Sequence, residues 1–487
     1  GAWGTASTAH VSTEALIEAD AVPVVKEKLT VRQWITRGAL AACSLGIVVG
    51  IVVAVMHYKR QGLQDRALKD AVALADAKGD KALSAVDSAE LHRALAEYYL
   101  RQDRVDEAQR QLKQARALAM ELRSVPEHDA MLIRVALTQA SMGGEGSAVT
   151  QKTRLSWNDT REEIKKTLLF LKLPDSRAQA MREVGGLLLD KKQGALVAPL
   201  AFDLTQASEE RADLLAIVGL QLHARQQDDL AQTYAKRALP ANQPKPGAKP
   251  APKPGAKPPA KPASPPVAAA LLTLLMALDQ PDKAKELAPM PKPQDQVPAA
   301  VRTGYAGGLA WKDQWDAALA LANNAATAPE QLDALAAVAE VAAQKQASGQ
   351  ATKAVEAAAA LAKKDPAAQI ASPWALVRLV RAGIAEKLGP EPLEAIVQAI
   401  ADPGLRRDVH AEVLAASPGT DADAKQFAPS DQQKDWGPLW TERLARRLAS
   451  AGKADDVVQE LDRWQSSQRA LGYVGVALGV QDLAGAK

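Results

Sequence analysis

The chain has 487 residues, a formal net charge of +3, 47% hydrophobic residues and only 4% aromatics. Near-balanced charge gives no case for nucleic-acid binding, and the single cysteine, Cys43, excludes an intrachain disulfide or a cysteine-based zinc site. Alanine carries much of the apolar share, which favours closely packed helices over sheets, because alanine has the best helix propensity and strands want β-branched and aromatic residues.

Residues 1–33 are small and polar and read as a disordered tail. Residues 34–60 form the predicted membrane anchor. The run from Gly38 to Met56 holds nineteen residues without a formal charge, close to the length that crosses a hydrocarbon core of ~30 Å. Arg37 and Lys59-Arg60 flank it, with Trp34 and Tyr58 at interfacial depth. The run is too long and starts too late for a cleaved signal peptide. Within it Ala42, Gly46, Gly50 and Ala54 recur every four residues and make one smooth face, a pattern that predicts a transmembrane homodimer. The basic flanks are tied at four against four, so the positive-inside rule does not orient the span. A lone anchor behind a short tail places the long C-terminal part outside the cytoplasm.

Residues 61–239 form a first helical block. Leu91, Ala94, Leu95, Tyr98 and Tyr99 fall on one helix face, and Asp87 before Glu90 predicts a capping-box start. After a break at Gln102-Asp103, Val105, Ala108, Leu112, Ala115 and Ala119 form a second apolar stripe, so the pair predicts an αα-hairpin. The stretch LHRALAEYYLRQDRVDEAQRQLKQARALA, Leu91 to Ala119, resembles a tetratricopeptide repeat, with Asp103 where that family usually turns on glycine. A second copy is readable from Leu214 to Pro240. Between them Gly143-Gly144-Glu145-Gly146 marks a loop, Gly185-Gly186 a weak point in a helix, and Asn158-Asp159-Thr160 a cap for a helix beginning near Arg161.

Residues 240–266 contain eleven prolines, five lysines and no acid. This linker is expected to be extended, at up to ~3.1 Å per residue. Its lysines, Lys245, Lys249, Lys253, Lys257 and Lys261, offer the alternative reading of an anchor for an anionic polymer or membrane surface.

Residues 267–487 form a second helical block. Val267 to Leu278 predicts a short buried helix partnered by Asp282 to Leu287. Gly304 to Ala325 predicts a hairpin turning at Lys312-Asp313. Leu335 to Pro366 predicts another, with Gly349 at its turn, which sets Ala318 and Ala354 in register 36 residues apart. Helices over Trp374–Leu388 and Pro392–Ile400 precede a polar loop at 417–437. A last hairpin follows, with Trp440, Leu444 and Leu448 before a turn at Gly452 and Val457, Leu461 and Trp464 after it.

The expected fold class is therefore all-α, an α-solenoid of degenerate tetratricopeptide-like hairpins in two blocks plus one transmembrane helix. No phosphate-binding, dinucleotide, zinc-protease or nucleophile-elbow motif is present, and no histidine stands at metal-ligand spacing from another. The expectation is a non-catalytic scaffold with no cofactor and no metal, binding protein partners in envelope biogenesis or secretion. The resemblance places Glu90, Arg93, Glu97 and Arg101 on the side of the first helix that lines the concave groove, where such arrays often bind extended peptides.

Overall fold

The computed structural model describes residues 62, 65–75, 83–144, 155–239, 267–292, 294–416, 437–464 and 466–485. Among the described residues every regular element is helical, so the all-α expectation holds. None of their helices is long and apolar enough to cross a membrane. The anchor at 34–60 with its small-residue face, the tail and the linker at 240–266 lie outside the described residues.

After a helical stretch at 65–75, the chain alternates between an inner and an outer row of helices. The inner row comprises α1 (Ala85–Arg101), α3 (Val125–Ala140), the broken helix α5 (Pro174–Ala180) to α6 (Gly186–Asp190), α8 (Ser208–Ala224), α10 (Ala269–Ala277), α12 (Ala299–Trp311), α14 (Ala328–Gln344), α16 (Pro373–Ala385) and α18 (Pro403–Ala416). The outer row comprises α2 (Val105–Met120), α4 (Trp157–Leu168), α7 (Gly194–Leu204), α9 (Asp228–Ala238), α11 (Pro281–Leu287), α13 (Trp315–Asn323), α15 (Ser348–Lys364) and α17 (Pro390–Gln398). The hairpin α19 (Gly437–Ser450) and α20 (Ala454–Leu461) and the final helix α21 (Ser466–Gly485) complete residues 62–487 as one compact unit. The stack continues across the linker: Asp213 of α8 accepts from the Ala270 amide at 3.0 Å, and Gly219 lies against Leu274.

Eight hairpins turn in the same way. The second residue after the first helix of each pair adopts positive φ: Asp103, Lys192, Gln226, Asp279, Asp313, Gln346, Lys387 and Gly452. In each, that residue's amide bonds three residues back and the next amide five back, as with Gln346 N to Ala343 O and Ala347 N to Ala342 O. These are Schellman caps, which satisfy carbonyls that the helix end would leave orphaned. In seven of the eight a fully buried small side chain stands five residues past the turn, Ala108, Val197, Ala231, Ala284, Ala318, Ala351 or Val457; the eighth has the half-buried Pro392. Between neighbouring turns the spacing is 34 from 192 to 226, 34 from 279 to 313 and 33 from 313 to 346. Long side chains just before the turn tie successive hairpins. Lys345 Nζ reaches Asp313 at 2.6 Å and the Trp311 carbonyl at 2.9 Å, and Arg225 Nη2 reaches Asp190 at 2.7 Å.

Three local expectations are corrected. Gly349 is the second residue of α15, and the turn falls on Gln346, so Ala318 matches Ala351 at 33 residues rather than Ala354 at 36. The first helix is capped by the Ser84 hydroxyl, which accepts from Asp87 N at 3.2 Å; Asp87 lies in its first turn. Ser156, not Asn158–Thr160, caps α4, accepting from Asp159 N at 3.1 Å. Since Gln346 is exposed in a left-handed conformation that costs an L-residue ~1 kcal/mol or more, Gln346→Gly is expected to stabilise the protein. Gly349→Ala should add up to about 1 kcal/mol through helix propensity. Raised thermal midpoints for both single variants check this.

α21 was not expected. It packs its glycines against α19: a Cβ on Gly475 would stand 2.2 Å from the Glu442 carbonyl oxygen, and one on Gly479 equally close to that of Arg446. Its other side meets α1, so the inner row closes on the helix from which it began.

Candidate functional site: charged side chains on the inner helices

The inner helices are apolar where they meet their neighbours and charged where their faces converge. On α1, one turn apart, lie Glu90, Arg93, Glu97 and Arg101. The structure brings all four to one cavity of about 590 Å³, together with Arg134 of α3, Lys191 after α6, and Glu442, Arg443 and Arg446 of α19. They are not free surface charges: Glu90 is 3% exposed and Arg93 9%. Arg93 Nε bonds Glu90 at 2.7 Å and its Nη1 bonds Glu97 at 3.2 Å. Glu97 also accepts from Arg101 at 2.8 Å and Arg446 at 3.0 Å, and Asp482 of α21 holds Arg446 at 2.8 Å and pairs with Arg101.

The pairing continues between opposite arcs of the inner row. Arg134 links Glu90, at 3.2 Å, to Asp408 of α18, at 2.8 Å. Glu412 of α18 accepts both forks of Arg381, at 2.9 and 3.1 Å, and one nitrogen of Arg443 at 3.3 Å. Arg381 in turn donates to Glu183 at 2.7 Å. Glu340 of α14 accepts from Arg182 at 3.2 Å and Arg378 at 2.8 Å. Arg182 and Glu183 reach inward from a π turn at Met181–Gly185, the weak point expected at Gly185-Gly186. A π turn widens a helix by one residue, and Gln221 of α8 lies against the two glycines and donates at 2.5 Å to the Arg182 carbonyl, which also accepts from the Gly186 amide.

Burial raises a carboxylic acid's pKa and a nearby guanidinium lowers it. Burial pushes Glu412 upward, but Arg381 and Arg443 outweigh it and hold the carboxyl down to about 2. Burial outweighs the nearby Arg93 and Arg446 at Glu442 and, with Glu97 and Glu90 close by, pushes it up to about 7; among the described residues its Oε1 has no hydrogen-bond partner, and the residue is 3% exposed. Burial likewise lifts Asp333 to about 6, in a second, more acidic cavity of about 280 Å³ that also holds Asp175, Asp213 and Glu340. Among the described residues no cluster of three or more His, Cys, Asp or Glu side chains could hold a metal ion.

Sequence reasoning grouped the four residues of α1 but missed their partners, which lie as far as 381 positions away in Asp482. The linker lysines Lys245, Lys249, Lys253, Lys257 and Lys261, and the face of Ala42, Gly46, Gly50 and Ala54, lie outside the described residues. Comparison with protein-family models, curated proteins and solved structures finds no match.

The exposed large apolar side chains follow a different distribution. Met120, Leu169, Phe170, Phe202, Leu230 and Met290 all lie on outer helices or within three residues after them.

Proposed function

We propose that this protein is a membrane-tethered, non-catalytic scaffold that binds protein partners, built as a tetratricopeptide-type α-solenoid behind a single-pass anchor at 34–60. The observation that carries the reading is the recurrence of one hairpin with a left-handed turn, followed in seven of eight cases by a buried small residue five positions later, with three of the seven steps between turns 33 or 34 residues long. Such repeats bury little alone and gain stability by stacking, and the stack presents a long surface suited to partners rather than to a single reaction.

The charges of the inner face are largely committed to one another, so the outer row is the better partner surface. Its exposed Phe170, Phe202 and Met120 are of the residue types enriched at the cores of interfaces. The tether rests on the uncharged run Gly38–Met56, and the small-residue face within it would pair two such stacks. Partner capture by cross-linking in intact membranes, with and without residues 240–266, tests the reading. The scaffold predicts that capture survives deletion of the linker and is insensitive to salt. Capture lost on deletion and weakened by salt would favour attachment of Lys245–Lys261 to an anionic polymer or membrane surface instead.

A further inference from the structure

We infer that the cavity of about 590 Å³ between α1, α3, α6 and α19 binds a small ligand bearing an oxyanion, a carboxylate or a phosphate, held by Arg443 and Glu442. The inference is independent of the scaffold reading. The volume falls within the ~300–1,000 Å³ range of small-molecule sites. Six cationic side chains line the cavity against three carboxylates.

Most of the arginines are saturated by acids, but two groups are not. Among the described residues Arg443 donates to a protein group through Nη2 alone, to Glu412 at 3.3 Å, which leaves the rest of its fork of donors for a ligand. Glu442 is 3% exposed with Oε1 unpartnered, a costly arrangement that calls for an explanation. It faces Arg93, Glu90 and Glu97 on α1 and Arg446 on its own helix; Asp482 of α21 and Glu412 of α18 stand behind Arg446 and Arg443. With its carboxyl pushed up to about 7 by burial, Glu442 holds below neutral pH a proton that a ligand oxygen can accept in a hydrogen bond. A neutral acid beside a guanidinium is a site for an anionic oxygen, since both groups donate and neither repels.

Isothermal titration of the full chain in detergent with glutarate and with sulfate, a tetrahedral oxyanion that does not titrate in this range, tests the assignment, with spermidine as the cationic control. The expected result is binding of at least one anion at pH 6, weakened about tenfold at pH 8 as the acid form of Glu442 is depleted. Glutarate alone marks a carboxylate ligand, and sulfate alone marks a phosphate. Glu442→Gln, whose amide still donates, should bind with no pH dependence over this range. Arg443→Gln should bind at least tenfold more weakly at both pH values, while Arg381 still satisfies Glu412 and keeps the fold, as a thermal scan will show. The assignment is overturned by the absence of heat with both anions, by unchanged affinity in Arg443→Gln, or by spermidine binding that Glu442→Gln abolishes.

Discussion

Replacing Gly475 and Gly479 together by alanine is expected to destabilise the protein by about 3 kcal/mol or more, because overpacking of this kind displaces backbone rather than side chain. The new Cβ atoms would stand 2.2 Å from the carbonyl oxygens of Glu442 and Arg446, which are fixed in the hydrogen-bond ladder of α19. Gly472 is the internal control. Its Cβ would meet Leu461 Cδ2 at 2.4 Å, the far end of a flexible side chain, so Gly472→Ala should cost about 1 kcal/mol. Urea denaturation reads both, with a lower midpoint and an unchanged slope. Equal losses in the two variants would mean that α21 does not approach α19 this closely. The pair Arg101–Asp482 and the ring closure would then also be wrong, since both depend on where α21 lies.

The second large effect concerns pH. Glu442 has a folded pKa of about 7 against an ordinary 4.5, so the folded state retains a proton that the unfolded chain releases. Its contribution is therefore unfavourable above the unfolded value: stability falls as pH rises from about 4.5 to about 7, by a few kcal/mol in all. Glu442→Gln should be near neutral at pH 4 and stabilising at pH 8. Glu412 has the opposite sign. Its folded pKa of about 2 means that stability present above 4.5 is lost as pH falls towards 2. Glu412→Gln should cost about 3 kcal/mol at pH 8, since Arg381 and Arg443 lose the negative charge of their shared acceptor, and the difference from wild type should shrink by pH 3. Denaturation curves at pH 3, 4 and 8 check both. Parallel pH profiles for the two variants would contradict the environments assigned here.

The sequence carried the hairpins wherever a polar break separated two apolar stripes. Gln102-Asp103, Lys312-Asp313 and Gly452 were readable as turns, and all three places turn through positive φ. Gly349 misled because glycine is the expected turn residue, while Gln346 holds the left-handed position three residues earlier and the Schellman bonds offset its strain. A signal for it existed: Lys345-Gln346 repeats the basic residue and polar turn residue of Lys312-Asp313 and Arg225-Gln226. α21 escaped notice because Gly472, Gly475 and Gly479 weaken its intrinsic helix propensity, and only packing on α19 compensates. Of the inner site, the i, i+3 and i, i+4 charges of α1 were legible. Their counter-ions were not, because Arg134–Asp408 and Arg446–Glu97 join residues 274 and 349 positions apart. Glu442 is buried only once α1 and α19 meet, and no local pattern announces it.

The central claim is that the outer row of an anchored hairpin stack holds protein partners. Cross-linking in intact membranes followed by mass spectrometry, comparing the wild-type chain with Phe170→Glu/Phe202→Glu, tests it most directly. Both side chains are more than 40% exposed, so the substitutions should leave the fold and the thermal midpoint unchanged. The account predicts that cross-links from the outer helices to other proteins fall at least tenfold in the variant. Undiminished outer-row cross-links, or partners joined to the inner face alone, would contradict it.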